Sequence, residues 1–176
     1  DGNDSRIYYV STGDGDDSVS VNGGRINTLI TGDGDDHISV TNGRIDMISA
    51  GMGDDTITTG DQFTQSILTF GGRNQIEVGS GGVFSVKLGN EADTVTTGTG
   101  FVDHISTDDG DDNVMIGTGG SISVELGGGH DLLIAMGFVQ DINGGDGNDS
   151  VSLGAVGGGS PRTGNGNDTV TTGDGF

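Results

Sequence analysis

Hydrophobic side chains recur along this chain at a fixed interval. Counted from a recurrent aspartate taken as position zero, a β-branched or leucine residue stands two places later in every repeat: Val19, Ile38, Ile57, Ile76, Val95, Val114, Leu133, Val151 and Val170. A further residue with the same orientation stands four places later, and small polar residues such as Ser18 and Ser20 alternate with the two rows. Alternation with a period of two is typical of a strand that buries one face.

A second alternating segment follows in each repeat, after a glycine-rich corner. Its inward row stands twelve places after the aspartate and contains Leu29, Ile48, Ile67, Val86, Ile105, Val124 and Ile142. Ile26 and Ile45 stand one place earlier in this segment than strict alternation requires. The pattern therefore predicts two short strands per repeat and no helix.

The repeat is nineteen residues long, apart from one step of eighteen between Asp131 and Asp149. The positions that mark it are Asp17, Asp36, Asp55, Asn74, Asp93, Asp112, Asp131, Asp149 and Asp168, which we call the aspartate column. A fixed period of this size predicts a solenoid. We expect a single all-β domain over residues 1–176, a parallel β-solenoid of about nine coils spaced about 4.8 Å apart. Residues 1–12 would form an irregular first coil, and the chain is expected to be part of a longer protein.

Composition narrows the possible partners. The formal net charge is −21, with 24 Asp against three Glu, and there are 38 glycines and no cysteine. Such a chain lacks the basic patch that nucleic acid binding needs. It also lacks an apolar run of membrane-spanning length, so we expect no membrane insertion. High charge with few hydrophobic residues favours disorder unless something cancels the charge.

The recurrent aspartates end five-residue glycine turns, which we call aspartate turns, as in Gly13-Asp-Gly-Asp-Asp17. Stacked coils would place these carboxylates about 4.8 Å apart, where each pair repels by roughly 0.9 kcal/mol even in water. An outer column, one place earlier, adds Asp16, Asp35, Asp54 and Asp111. Cations are therefore expected between the coils, and oxygen-only ligands in an irregular arrangement favour Ca²⁺.

The turns resemble the calcium-binding repeats of the RTX (repeats-in-toxin) family, and the resemblance covers nearly the whole chain. It implies a right-handed β-roll in which ions lie between coils, held by the aspartates and by turn carbonyls. The implied carboxylate ligands are Asp17, Asp36, Asp55, Asp93, Asp112, Asp131, Asp149 and Asp168. The implied carbonyl ligands are those of Gly13, Gly15, Gly32, Gly34, Gly51, Gly53, Gly127, Gly129, Gly145, Gly147, Gly164 and Gly166. Because only one turn per coil carries the motif, a single row of ions on one edge is expected.

The nineteen-residue length is most similar to the calcium repeats of very large bacterial adhesins, including an ice-binding region of one of them. The resemblance implies a secreted or cell-surface protein that leaves the cell by type I secretion and folds outside it when calcium binds. We expect a structural or adhesive module. The alternatives are an ice-binding surface and a glycan-binding accessory module of an extracellular polysaccharide-modifying enzyme. No grouping of catalytic side chains recurs at a consistent position, so the chain is not expected to be an enzyme.

The motif degenerates between residues 70 and 93, where the ion row is expected to be interrupted. The turn that ends at Asn74 contains no acid and has Arg73 in the outer column. Our hypothesis from the sequence is that the guanidinium group replaces a cation there. The turn ending at Asp93 lacks the second glycine, and the turn ending at Asp112 lacks the first. The segment Asp1-Gly-Asn-Asp4 resembles an irregular additional site.

Overall fold

The computed structural model describes residues 6–156 and 158–173, which form eighteen β-strands and no helix. The odd-numbered strands form one sheet: β1 (Arg6–Ser11), β3 (Arg25–Ile30), β5 (Arg44–Met52), β7 (Thr64–Gly71), β9 (Val83–Lys87), β11 (Val102–Ser106), β13 (Ser121–Gly128), β15 (Val139–Asp146) and β17 (Gly158–Arg162). The even-numbered strands form the other: β2 (Ser18–Val21), β4 (His37–Val40), β6 (Thr56–Thr59), β8 (Gln75–Val78), β10 (Thr94–Thr97), β12 (Asn113–Ile116), β14 (Leu132–Ala135), β16 (Ser150–Leu153) and β18 (Thr169–Thr172). Within the described residues, therefore, no helix could cross a membrane.

Each coil contributes one strand to each sheet, and every strand pairing is parallel. Partners are one repeat apart, as in Ile38 with Ile57 and Leu29 with Ile48. The predicted parallel β-solenoid of about nine coils is confirmed. The aspartate turns connect the odd sheet to the even sheet along one edge, which we call the aspartate edge. The glycine-rich corners return the chain along the other edge, the opposite corner.

The single eighteen-residue coil loses its residue at the opposite corner. Ala135 pairs with Ile116, nineteen residues earlier, whereas Val139 pairs with Ser121, eighteen residues earlier. The shortening therefore lies between Ala135 and Val139, and the aspartate turn that follows keeps its five-residue length.

The core consists of stacked rows of side chains between the two sheets. The rows predicted two, four and twelve places after the aspartate are buried in the interior coils, with Ile57, Val78 and Ile142 each at most 1% exposed. At the last coil Val170 is 45% exposed. Stacking the same residue types from coil to coil gives each side chain similar neighbours above and below, which is the packing that a solenoid needs.

Ile26 and Ile45 belong to a fourth inward row that the sequence pattern did not resolve. Nine places after the aspartate, they stack in register with each other, and later coils continue the row with Thr64, Val83 and Val102. Two residues, instead of one, separate this row from the row at position twelve, so each odd strand departs locally from strict alternation. The apparent irregularity is thus a repeated feature of the coil.

A fifth buried row lies fourteen places after the aspartate, immediately before the next aspartate turn. It contains Thr31, Ala50, Thr69, Leu88, Thr107 and Leu126, each at most 1% exposed. Two of its threonine hydroxyls donate to the next coil, Thr107 to the carbonyl of Leu126 at 2.9 Å and Thr31 to that of Ala50 at 3.4 Å. The hydroxyl of Thr69 is buried without a hydrogen bond. The segment Asp1-Gly-Asn-Asp4, suggested above as an additional site, lies outside the described residues.

Candidate metal-binding edge

The glycines of the aspartate turns adopt a backbone conformation that other residues rarely take. Gly32 and Gly34 have φ of 109° and 139°, and a Cβ on either would overlap the carbonyl group of Gly13 or Gly15 in the coil before. Positive φ is shared by all twelve glycines implied as carbonyl ligands: Gly13, Gly15, Gly32, Gly34, Gly51, Gly53, Gly127, Gly129, Gly145, Gly147, Gly164 and Gly166. Glycine is required here both by the dihedral angle and by the close stacking of the turns.

The aspartate column is brought together as predicted, with each carboxylate pointing along the edge to the neighbouring coil. One oxygen, Oδ1, accepts a hydrogen bond from the backbone N–H of the preceding column residue, at 2.9 Å from Asp17 to Asp36 and 3.0 Å from Asp36 to Asp55. The same bond recurs along the column up to Asp168. Six of its eight Asp are at most 2% exposed: Asp36, Asp55, Asp93, Asp112, Asp131 and Asp149.

The second carboxylate oxygen has no such partner. Oδ2 is buried and without a hydrogen bond in Asp17, Asp36, Asp55, Asp93, Asp112, Asp131 and Asp149. Buried charged groups are normally paired or bound to metal, because leaving one unpaired costs several kcal/mol. Seven unpaired oxygens in one column therefore indicate that a positively charged group belongs between the coils.

Turn carbonyls offer further acceptors on the same edge. The carbonyl three places before the column residue is used in stacking, as where Gly15 donates to Asp33 at 2.7 Å. The carbonyl two places before it, as at Gly34 or Gly53, accepts no hydrogen bond from any described residue. The carbonyl four places before the column residue accepts a hydrogen bond in some turns, as at Gly145, which accepts the N–H of Asn165 at 2.9 Å. A carboxylate with a free carbonyl in the same turn fits a hard cation such as Ca²⁺.

Side chains alone do not form a metal cluster here. Among residues 6–156 and 158–173, no three His, Cys, Asp or Glu side chains converge as ligands. This follows from the coil geometry, because each coil supplies one buried carboxylate, and the remaining ligands would be main-chain oxygens.

Burial is the main cause of a raised pKa at four aspartates of the column. The pKa of Asp55, Asp93 and Asp131 is raised to about 7 by burial and, to a smaller extent, by neighbouring carboxylates, against the opposing effect of backbone hydrogen bonds. Burial raises the pKa of Asp112 as well. Without a cation, the folded column therefore resists carrying its full negative charge at neutral pH.

The outer column makes a different set of contacts. Its carboxylates are exposed and accept backbone N–H groups from the following coil, at 3.0 Å from Asp35 to Asp16 and 2.8 Å from Asp54 to Asp35. His130 takes this position later and accepts from the N–H of Asn148 through Nδ1 at 3.0 Å. The two columns thus tie adjacent turns in opposite directions, and only the aspartate column has buried unpaired oxygens.

The degenerate turns keep the geometry of the edge by different means. Glu91 replaces the second turn glycine with φ of 86°, and Asp108 replaces the first with φ of 58°. Phe70 replaces the first glycine of the turn ending at Asn74. The pairing of β7 with β5 of the coil before is irregular just ahead of this turn, where the register shifts between Ser49 and Met52. Non-glycine residues are strained at positive φ, so two of these turns retain the shape at an energetic cost.

Arg73 lies in the outer column, as the sequence predicted. Its backbone N–H donates to Asp54 Oδ1 at 2.7 Å, as the outer-column acids do in other coils. The side chain is exposed, and among the described residues its guanidinium forms no ion pair. The buried contacts at this coil come from the side-chain amide of Asn74. That the guanidinium replaces a cation stays a prediction.

The buried threonines before the turns are the residues near this edge that the sequence pattern missed. Thr107 lies close enough to Asp112 that its hydroxyl lowers the pKa of that carboxyl, against the larger effect of burial. The signal was present as small and medium residues immediately before each turn, but the sequence analysis predicted no buried row at this position.

Comparison with protein-family models, curated proteins and solved structures finds no match for this chain. The resemblance to calcium-binding repeats therefore depends on the turn motif and its period.

The strained turn at Glu91 gives a first prediction. Glu91→Gly removes left-handed strain worth about 1–2 kcal/mol, whereas Glu77→Gly, at an exposed strand position, removes none. Both changes add the same freedom to the unfolded chain, but Glu91→Gly also loses the hydrogen bond that Glu91 Oε2 accepts from the N–H of Gly72. Relief of strain should exceed this loss, so Glu91→Gly should leave the protein up to about 1 kcal/mol more stable than Glu77→Gly. Urea unfolding under one fixed buffer measures the difference. Greater destabilisation by Glu91→Gly than by Glu77→Gly would contradict the assignment of strain to Glu91.

The raised pKa values predict a pH dependence in the metal-free protein. The carboxyls of Asp55, Asp93 and Asp131 have a pKa of 3.8 in the unfolded chain and of about 7 in the folded one. Between these two pH values the folded chain therefore binds more protons than the unfolded chain. The contribution of these carboxyls to the stability of the folded state is therefore greatest at low pH and is lost as the pH rises through about 7. The β-strand circular dichroism signal of metal-free protein should increase from pH 8 to pH 5.5.

The matched controls for this pH dependence are two Asp→Asn variants. Asp131→Asn removes one titrating column carboxyl and should weaken the dependence, while Asp61→Asn, at an exposed corner, should leave it unchanged. A strand signal that grows as the pH rises would contradict the assignment of the shifted groups.

Proposed function

We propose that this protein is a calcium-binding β-solenoid of RTX type, whose folding depends on calcium held in a row along the aspartate edge. The observation that carries the proposal is the set of seven buried Oδ2 atoms without partners. Calcium is favoured over softer metals because the available ligands are all oxygens, and over Mg²⁺ because the turn oxygens are numerous and irregular.

The ions would be held by the column aspartates together with carbonyls of the turn glycines. Calcium would supply the positive charge that the stacked carboxylates lack. The chain itself places the oxygens. The positive-φ glycines allow the turns to stack closely, and each Oδ1 is fixed by a backbone N–H, whereas Oδ2 is buried without a hydrogen bond in seven of the aspartates.

Coupling between binding and folding follows from the charge. With a net charge of −21 and the column unneutralised, the folded state is destabilised by repulsion and by burial of charge. Binding energy for the ions is therefore folding energy. This suits a chain that stays unfolded where calcium is scarce and folds after export to an extracellular or cell-surface location, where it serves as a rigid structural or adhesive module.

Calcium removal tests the proposal directly. At pH 7.5 the metal-free chain should give a coil-like circular dichroism spectrum, and titration with Ca²⁺ should convert it to a strand spectrum. Asp36→Asn removes one charged ligand and should raise the calcium concentration at the midpoint; Asp61→Asn keeps the aspartate column intact and should not. A protein that is fully folded without divalent cations at this pH would refute calcium-dependent folding.

An adhesive role has a candidate surface at the opposite corner. Arg6, Arg25 and Arg44 stack in register there, and the Arg44 guanidinium lies 6.0 Å from the ring centroid of exposed Phe63 in the next coil. Arg25 and Arg44 line a polar depression of about 390 Å³ together with Gly24, Asn42 and Gln62. Three of the six Lys and Arg residues of an acidic chain thus lie in one column.

One acid partly neutralises this column. Asp46 pairs with Arg25 at 2.6 Å and with Arg44 at 2.7 Å. Burial raises the pKa of Asp46, but the hydrogen bonds and charges of both arginines outweigh burial and hold it below its usual value. A net positive strip remains beside an aromatic ring, which suits an acidic glycan: the guanidinium groups would bind its carboxylates, and Phe63 would pack against a sugar face.

Glycan binding tests this second candidate function. A uronate oligosaccharide should bind the calcium-loaded protein, and Arg25→Gln and Arg44→Gln should each weaken binding about tenfold, an effect on the order of 1.4 kcal/mol. Arg73→Gln, on the aspartate edge, is the control and should have no effect. Equal binding of a neutral oligosaccharide, measured by calorimetry, would exclude charge recognition at this corner.

The ice-binding alternative has less support from the outward face of the even sheet. Hydroxyl side chains stack there in the first coils, as Ser20, Ser39 and Thr58 do. The row then continues with Glu77, Thr96, Met115 and Ile134, and hydroxyls return at Ser152 and Thr171. A flat, continuous hydroxyl row is therefore not formed over the length of the solenoid.

A further inference from the structure

Asn74 is the one residue of the aspartate column that carries no charge. Its Oδ1 accepts the N–H of Asp55 at 3.2 Å, as the carboxylates of the other coils do. Its second side-chain atom is a nitrogen with two hydrogens, whereas the other coils have an oxygen at that position. The residue is 2% exposed, so solvent does not supply its partners.

The amide nitrogen contacts a turn carbonyl and one oxygen of the next carboxylate. Asn74 Nδ2 donates to the carbonyl of Gly72 at 2.9 Å and to Oδ1 of Asp93 in the next coil at 3.0 Å, while Oδ2 of Asp93 stays without a partner. The carbonyl equivalent to that of Gly72 accepts no hydrogen bond in the turns of Gly34 or Gly53. Among the described coils, this one alone has a side-chain donor that joins a turn carbonyl to the next carboxylate.

We propose that the side-chain amide of Asn74 takes the place of a calcium ion between its own coil and the coil of Asp93, and so divides the ion row into two separate segments. The inference depends on the proposed calcium function. A neutral amide can donate to two acceptors at once and needs no charge from solution. A second cation-free contact supports the junction, because Glu91 Oε2 accepts the N–H of Gly72 at 2.9 Å.

The junction has a consequence for assembly. In a solenoid, stability is approximately a sum of coil terms and of interfaces between neighbouring coils. Only the two interfaces of Asn74, with Asp55 and with Asp93, lack a second carboxylate. At the interface with Asp93 the amide also donates to Oδ1, while Asp93 Oδ2 stays without a partner, so repulsion between column carboxylates is smallest there. The coils on the two sides of this interface are then the first to stack as the calcium concentration rises, and the ion row grows outward from them in both directions.

Counting bound ions tests the proposal. Equilibrium dialysis against saturating Ca²⁺, followed by atomic absorption, gives the number of ions per chain. Asn74→Asp removes the donor and adds a carboxylate, so it should bind one more ion than the unaltered protein. Asn143→Asp is the matched control on the exposed face of β15 and should bind the same number as the unaltered protein. An unchanged count for a folded Asn74→Asp variant would overturn the proposal.

A measurement on the unaltered protein covers the case in which Asn74→Asp fails to fold. Anomalous diffraction from calcium-loaded crystals should show ions along the aspartate edge but none between Gly72 and Asp93. An ion at that position would overturn the proposal and leave the calcium function intact. No bound calcium anywhere on the unaltered protein would instead refute the proposed function.

Discussion

The structure depends on the stacking of like-charged carboxylates in a buried column. Every other feature of the aspartate edge serves this arrangement: glycine backbones allow the turns to approach, backbone N–H groups fix one oxygen of each carboxylate, and the other oxygen is left without a donor. The hydrophobic rows between the sheets hold the coils in register, but they do not remove the repulsion. Under the proposed function, a thin core and an uncompensated column of charge would make the fold conditional on a counter-ion.

Much of the fold could be predicted from the sequence because the same hydrophobic pattern recurs in every coil of a solenoid. The aliphatic rows at two and twelve places after the aspartate predicted the strands and their parallel stacking without reference to distant parts of the chain. The position of Ile26 and Ile45 could not be interpreted from alternation, because the odd strand turns two consecutive residues outward between its buried rows. Only the register of neighbouring coils shows that this departure recurs.

The candidate site was predicted at the level of residue type but not of contact. Composition and spacing placed the aspartates on one edge and the glycines in the turns. They could not show which polar atoms meet at the turn of Asn74: Arg73 carries the charge but is exposed, whereas the amide of Asn74 is buried and donates to Asp93. The direction of a side chain in a turn depends on the backbone dihedral angles of that turn. Those angles are set by the glycines, and the residue type alone does not give the φ that a glycine adopts.

The short coil shows that the two edges of the solenoid differ in how they tolerate a change of length. One residue is missing between Ala135 and Val139, and the strands on both sides remain in register. At the aspartate edge the same loss would displace a carboxylate from its column. The opposite corner is therefore the natural position for grafting foreign loops or reporter peptides onto this scaffold, at a pitch of one attachment point per coil.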